Sequence, residues 1–192
     1  HMYANADGSV IPCCIANHHK HLGNLHNDTI HEIWNNDSYK RIRKNMIDGI
    51  RNEECQACYF NEDNNVKSFR QSINKKFEHH IHLKERTNPD GSLDEMHLKY
   101  FDIRWSNICN LRCRSCSPTY SSSWAKESGN KNVYILAGGE NNDSLYSQFE
   151  PFFEDIEIFY FAGGEPLMTD KHYDILNYLI KNKNTKAVIR YN

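Results

Sequence analysis

Three cysteines, Cys109, Cys113 and Cys116, fall within the stretch SNICNLRCRSCSPTYSSSW, Ser106 to Trp124, and a run of hydroxyl side chains follows them. Structural zinc sites usually join a C-x-x-C pair to a second pair of Cys or His ligands, whereas C-x-x-x-C-x-x-C offers three thiolates from one loop and no evident fourth. Three thiolates suit three irons of a cubane cluster and leave the fourth iron open. A redox dithiol would use Cys113 and Cys116 alone and give Cys109 no task. Iron–sulfur ligation is therefore the leading reading and zinc the alternative. A second group, Cys13, Cys14, Cys55 and Cys58, combines an adjacent pair with a C-x-x-C pair. It suits another cluster, or zinc with help from His18, His19, His21 and His26. Seven cysteines, an odd number gathered in short groups, fit metal or cluster sites in a reducing compartment such as the cytoplasm better than a disulfide framework.

The elements that must position these groups divide into two cysteine-bearing halves. In the first, YANADGSVIPCC reads as a hairpin turning at Asp-Gly-Ser. TIHE from Thr29 has the form of a capping box, and SYKRIRKNMIDG continues as a helix with Tyr39, Ile42 and Met46 on one face and Gly49 as its stop. CQAC, Cys55 to Cys58, is placed in a polar loop. Val66, Phe69, Ile73, Phe77 and Ile81 recur at helical steps, predicting one long amphipathic helix to about Glu85 that carries His79, His80 and His82 mostly at its surface. RTNPDGSLD after it has the composition of a linker. The expected division is residues 1–65 as a small α+β cysteine-rich domain, 66–96 as connecting helix and linker, and 97–192 as an α/β domain.

The second half alternates strand and helix. HLKYFDIRW is a strand, the cysteine loop follows, and PTYSSSWAKES makes a helix. IEIFYFAGG is a buried-type strand, KHYDILNYLIKN an amphipathic helix, and AVIRYN a third strand. Strand, loop and helix in succession is the grammar of parallel β/α units, in which chemistry sits on loops leaving the C-terminal ends of strands. The cysteine loop and the AGGEP loop, Gly163 to Pro166, both fall there. A second AGGE string, within YILAGGENN, lacks the proline and leaves only about twenty residues after Cys116 into which a helix must fit, whereas IEIFYFAGGEP has the longer buried strand before it and an amphipathic helix after it; Gly138–Glu140 is assigned to a loop. Trp34, Trp105 and Trp124 are read as core residues. Arg112 and Arg114 either offset cluster charge or face solvent.

The 192 residues have room for one ordinary domain or two small ones. With 39% apolar residues and a formal charge of -2, the chain has the composition of a globular protein. It lacks the concentrated basic stripe of a nucleic-acid binder, and no apolar run suits a membrane span. HM at the start has the look of a cloning scar and KAVIRYN stops abruptly, so an excerpt of a longer protein is expected.

With both motifs in view, CNLRCRSC resembles the cluster loop of radical S-adenosylmethionine (SAM) enzymes, and FAGGEPLM resembles their GGEP motif. The resemblance implies that Cys109, Cys113 and Cys116 bind a [4Fe-4S] cluster whose open iron takes the amino and carboxylate groups of SAM. Gly163, Gly164, Glu165 and Pro166 would line the methionine end. It also implies a partial (β/α) barrel, of which residues 97–192 hold the first units and which alone would be an incomplete catalyst. Reductive cleavage of SAM would yield a 5′-deoxyadenosyl radical that abstracts hydrogen from substrate. One departure is Ser115, where the family often has an aromatic residue near the adenine. In the first half, DGSVIPCC, LGNLHNDTIHEIWNNDSYKRIRKNMIDG and CQAC look like a SPASM or twitch domain, placed before the barrel. By that likeness Cys55 and Cys58, with Cys13 or Cys14, ligate a second iron–sulfur cluster. The implied partners are a peptide or small natural-product substrate and an electron donor such as flavodoxin or ferredoxin, with no membrane or nucleic acid. The rival from another class is a non-catalytic zinc module that binds other molecules.

Overall fold

The computed structural model describes residues 1–130, 132–136 and 142–192. Its six strands form one sheet in the order β3-β2-β1-β4-β5-β6. They are β1 (Met2–Ala4), β2 (Ser9–Ile11), β3 (Gly23–Asn24), β4 (Tyr100–Ile103), β5 (Ile158–Phe161) and β6 (Val188–Tyr191). β1, β4, β5 and β6 run parallel, with Met2 opposite Phe101, Phe101 opposite Phe159 and Phe159 opposite Ile189. β2 pairs antiparallel with β3. The fold is thus mixed α/β with a mostly parallel sheet.

Contacts divide the chain into two compact units. The first comprises His1–Val10, Gly23–Ile30 and His97–Asn192, and the second Ile11–Leu22 and His31–Met96.

In the first unit the predicted strands all form, β4 and β5 on buried apolar runs and β6 as a mostly exposed edge. All four residues of β4 are buried, as befits a parallel strand covered on both faces. Phe101, Phe149, Phe153 and Phe159 supply the core: Phe149 meets Phe101 edge-on at 5.3 Å between centroids, and Phe153 meets Phe159 at 5.7 Å. Such pairs add to area burial through ring quadrupoles. Among the described residues, the α-helices of this unit are α5 (Ser122–Glu127), α6 (Asn142–Phe149) and α7 (Asp170–Lys181). α7 buries His172, Ile175 and Leu179, a single helical face.

The N-terminal hairpin turns at Asn5–Gly8. Asp7 Oδ1 accepts from Ser9 N at 3.0 Å and from Ser9 Oγ at 2.6 Å, while Gly8 takes φ of +83°. The sequence groups this hairpin with the first cysteine half. In the structure β1 instead extends the parallel sheet beside β4, a pairing that no local pattern announces.

The second unit is helical. α1 (Ile30–Trp34) leads into it, followed by α2 (Asp37–Ile47), α3 (Gln56–Asp63) and α4 (Phe69–Lys76). The single helix expected from Thr29 is interrupted, because Asn36 caps α2 by accepting from Tyr39 N. Tyr39 and Ile42 are buried as expected, whereas Met46 is exposed. The long helix expected to Glu85 is shorter too. Ser68 and Gln71 form a capping box that starts α4, the α-helix stops at Phe77, and residues Glu78–Arg86 continue as 3-10 turns. Val66 and Ile81 are exposed, so the periodic stripe is not supported by burial at its ends. The segment at 86–94 packs on α2: Gly91 O accepts from Arg43 Nε at 2.7 Å, and Asn35 Nδ2 donates to Leu93 O at 2.7 Å. Among the described residues, no helix is long and apolar enough to cross a membrane.

Candidate functional site

Because β4 and β5 are parallel neighbours, the loops that follow them leave the same end of the sheet. The first carries Cys109, Cys113 and Cys116, and the second carries Gly163 to Pro166. They are joined backbone to backbone. Glu165 N donates to Ile108 O at 2.7 Å, and Gly164 N donates to Tyr120 O at 3.0 Å. Only glycine allows this approach. Gly164 has φ of +60°, and a Cβ there would stand 2.3 Å from Ile108 O. Gly163 has φ of +82°, and its Cβ would stand 2.6 Å from the Arg104 side chain. Pro166 is buried at the start of a 3-10 turn, and Glu165 Oε1 caps that turn by accepting from Leu167 N at 3.1 Å.

The hydroxyl run shapes the cysteine loop. Ser122 Oγ accepts from Cys109 N at 3.0 Å, Ser123 Oγ donates to Cys109 O at 2.6 Å, and Ser121 Oγ donates to Leu111 O at 2.8 Å. Trp124 Nε1 donates to Cys113 O at 2.9 Å. Sequence reasoning assigned these residues to a helix and Trp124 to the core; their shared task, satisfying the carbonyls of a loop with no ladder of its own, is what the dense serine run signals. Leu111 N also points at Cys109 Sγ, at 3.3 Å. Cys113 is exposed, and Cys109 and Cys116 are half-buried. Arg112 pairs with Glu127, while Arg114 and Ser115 are exposed.

The run Tyr134–Leu136 pairs with the start of this loop. Leu136 N donates to Trp105 O, Asn107 N donates to Tyr134 O, and Ser106 and Ile135 form an antiparallel bridge. The second AGGE string, Gly138–Glu140, lies outside the described residues.

The second cysteine group lies in the second unit. CQAC is not in a loop: Cys55 ends a 3-10 turn and Cys58 belongs to α3, so a step of three brings both to one buried face. Burial pushes the Cys55 thiol up to about 11, with nearby Cys13 and Cys58 adding to the shift and Arg70 opposing it. Cys13 also bears on the Tyr39 hydroxyl. Cys13 and Cys58 thus lie near enough to bear on the Cys55 thiol. Cys14 is half-buried, and its carbonyl lies 3.1 Å from His18 Nε2. His19, His21 and His26 are exposed.

Asn52, which sequence reasoning passed over, anchors this site. It is buried, donates to Ile42 O at 3.2 Å, accepts from Asn45 Nδ2 at 2.9 Å, and gives its carbonyl to Cys55 N at 3.0 Å. Its backbone N–H meets Tyr59 Oη at 3.3 Å, and the Tyr59 ring lies between Arg51 and Arg70, whose guanidinium carbons are 5.0 and 4.9 Å from its centroid. An uncharged buried asparagine just before E-E-C is the available sequence signal.

Comparison with protein families gives one finding: residues 1–59 match the iron–sulfur cluster-binding domain called SPASM. Cys13, Cys14, Cys55 and Cys58 fall inside the matched stretch, and Cys109, Cys113 and Cys116 lie beyond it. Neither the curated proteins nor the solved structures gave a match. The N-terminal stretch is therefore supported as an iron–sulfur binding domain of a kind associated with radical SAM proteins.

Proposed function

We propose that the chain couples a SAM-binding [4Fe-4S] site, in the opening units of a partial (β/α) barrel, to an auxiliary iron–sulfur domain. The observation that carries this reading is the docking of the GGEP loop on the three-cysteine loop at one end of a parallel sheet. The residues fit the groups they would hold. Three thiols arise from one loop in which Ser122 and Ser123 engage the Cys109 N–H and carbonyl, and two glycines let the GGEP backbone dock closely beside it. When bound and reduced, such a cluster supplies the electron that splits a carbon–sulfur bond of SAM homolytically, giving a radical able to abstract hydrogen.

The chain's own residues have separate tasks. Cys109, Cys113 and Cys116 hold the cluster and leave one iron without a protein ligand. Gly163 and Gly164 admit the backbone to the methionine end of SAM, and Pro166 with the Glu165 cap fixes the turn beneath it. In the auxiliary site Cys55 and Cys58 are the ligands together with Cys13 or Cys14, and Cys13 bears on the Cys55 thiol. Burial disfavours a bare Cys55 thiolate, and a bound cation removes that penalty. The proposed substrate is a peptide or small natural product, with a flavodoxin or ferredoxin as electron donor.

Anaerobic reconstitution with iron and sulfide tests the reading. Two cubane clusters predict about eight irons per chain. Replacing Cys109, Cys113 and Cys116 with Ala removes about half and abolishes the change that SAM produces in the electron paramagnetic resonance (EPR) spectrum of the reduced protein. Tight zinc binding without iron uptake refutes it.

A further inference from the structure

The base of the three-cysteine loop is tied by one buried amide side chain. Asn107 stands just before Cys109, and 1% of it is exposed. Its Oδ1 accepts from Tyr134 N at 2.8 Å, and its Nδ2 donates to Asn132 O at 3.2 Å and, more weakly, to Thr119 O at 3.4 Å. Its peptide groups are engaged as well: Asn107 N donates to Tyr134 O at 3.0 Å, and Asn107 O accepts from Ser122 N at 2.8 Å. Cys109, Cys113 and Cys116 all lie between Asn107 and Thr119, so these bonds join the chain entering the loop to the chain leaving it. The GGEP loop rests on the same residue, since a Cβ on Gly164 would stand 2.9 Å from Asn107 C.

We infer that Asn107 is a positioning residue for the three thiols, closing the base of their loop through hydrogen bonds that need no metal. The inference rests on the reading of this loop as a cluster site. Ordering a segment that carries three ligands costs conformational entropy, and a closure already made removes part of that cost from the binding step. Side-chain chemistry selects asparagine for the task. The group at this point must accept from one N–H and donate to two carbonyls, and asparagine offers two donors and an acceptor on a short stem. An ionised aspartate has no donor and would turn a carboxylate toward the Thr119 and Asn132 carbonyls. Serine has a single donor and alanine none. Removing a group that holds metal ligands in place, without itself touching the metal, costs roughly 10- to 100-fold in metal affinity.

Hydrogen exchange on the iron-free chain and chelator challenge of the reconstituted chain test it together. In iron-free Asn107→Ala the Tyr134 and Ser122 amides exchange about tenfold faster, because Tyr134 loses its side-chain acceptor and Ser122 the closure around it, while the amides of β5 keep their wild-type rates. After reconstitution, the loop's share of iron is the difference from a chain with Cys109, Cys113 and Cys116 replaced by Ala. In Asn107→Ala a chelator removes that share at least about tenfold faster than in wild type, and the auxiliary share leaves at its wild-type rate. Asn107→Ser keeps one hydroxyl donor and gives a smaller effect of the same kind; it decides the matter if loss of β5 protection shows that Asn107→Ala unfolds. Wild-type exchange at both amides overturns the inference and leaves the cluster site intact. Faster exchange with wild-type iron retention overturns it too, since Asn107 then serves the fold and not the thiols. A wild-type chain that holds no more iron than the triple alanine variant overturns the cluster reading and this inference with it.

Discussion

Gly164→Ala is the substitution whose cost the structure specifies most closely. Two separate penalties act. The first is conformational: at φ of +60° an L-residue with a Cβ pays roughly 1–2 kcal/mol. The second is steric, since the new Cβ would stand 2.3 Å from Ile108 O and 2.9 Å from both Asn107 C and Ile108 N, all backbone atoms. Relief requires the GGEP loop to move off the cysteine loop, stretching the bonds Glu165 N to Ile108 O and Gly164 N to Tyr120 O. Overpacking of this kind costs about 1–3 kcal/mol, and weakening two hydrogen bonds adds about 1 kcal/mol more. Gly129 supplies the internal control, because its φ is +76° and nothing lies within 4 Å of its added Cβ. Gly129→Ala therefore carries the first penalty alone. The difference between the two variants isolates the close approach and comes to about 2–4 kcal/mol, or about 4–16 °C in Tm for a chain of this size. Thermal unfolding of the iron-free protein, followed by circular dichroism without oxygen, measures it. Equal Tm values for the two alanine variants would falsify the docking of these loops.

Two further predictions concern the second unit. Asn52→Ala removes the hydrogen bonds to Ile42 O and from Asn45, a loss of about 2 kcal/mol, and loosens the turn that presents Cys55. Urea unfolding together with faster alkylation of Cys55 and Cys58 in the iron-free chain checks it; stability within about 0.5 kcal/mol of wild type counts against it. Asp90 has its carboxyl lowered from 3.8 to about 2, first by the Ser92 hydroxyl and backbone N–H and then by Lys40. Its folded value lies below its unfolded one, so its contribution is fully present above about pH 4 and is lost as pH falls through about 2. A titration of the Asp90 carboxyl by NMR should show the low midpoint, and Ser92→Ala should return it toward 3.8; a wild-type midpoint already near 3.8 contradicts the contacts.

The legibility of these features in the sequence follows the range of the interaction behind each. β4, β5 and α7 were readable because a buried strand needs an apolar run and an amphipathic helix needs a stripe, and IFYF and HYDILNYL supply them; β6 forms at the sheet edge although its residues are mostly exposed. The glycines of AGGEP signalled a close approach without naming its partner, since Ile108 and Arg104 are distant in sequence. CQAC was misplaced in a loop because polar composition outweighed the step of three that suits two cysteines to one helical face. The helix expected over 66–85 failed for the opposite reason. Its periodicity was genuine, but Val66 and Ile81 bury too little to sustain α-helix through Glu78–Arg86, where three histidines have modest helix propensity. The pairing of β1 with β4 was beyond local reasoning altogether, because a strand of three buried residues carries no record of its neighbour.

That pairing changes what the cluster-domain match means for the rest of the chain. A matched stretch at residues 1–59 suggests a module that ends before the three-cysteine loop begins. Yet its first strand lies in the same sheet as that loop, parallel to β4 and in register from Met2 to Ala4. Parallel direction has a consequence that antiparallel pairing would not: it sends the hairpin turn at Asn5–Gly8 to the same end of the sheet as the cysteine and GGEP loops. Asn5 and Asp7 therefore border the same small cavity as Arg104, Asn107 and Gly163. Removing β1 would also expose one edge of β4, a strand buried throughout, and leave Asp102 and Arg104 without the Tyr3 ring that covers them. The first ten residues are thus part of the sheet that carries the cysteine and GGEP loops, although the family match that includes them runs on into the second unit.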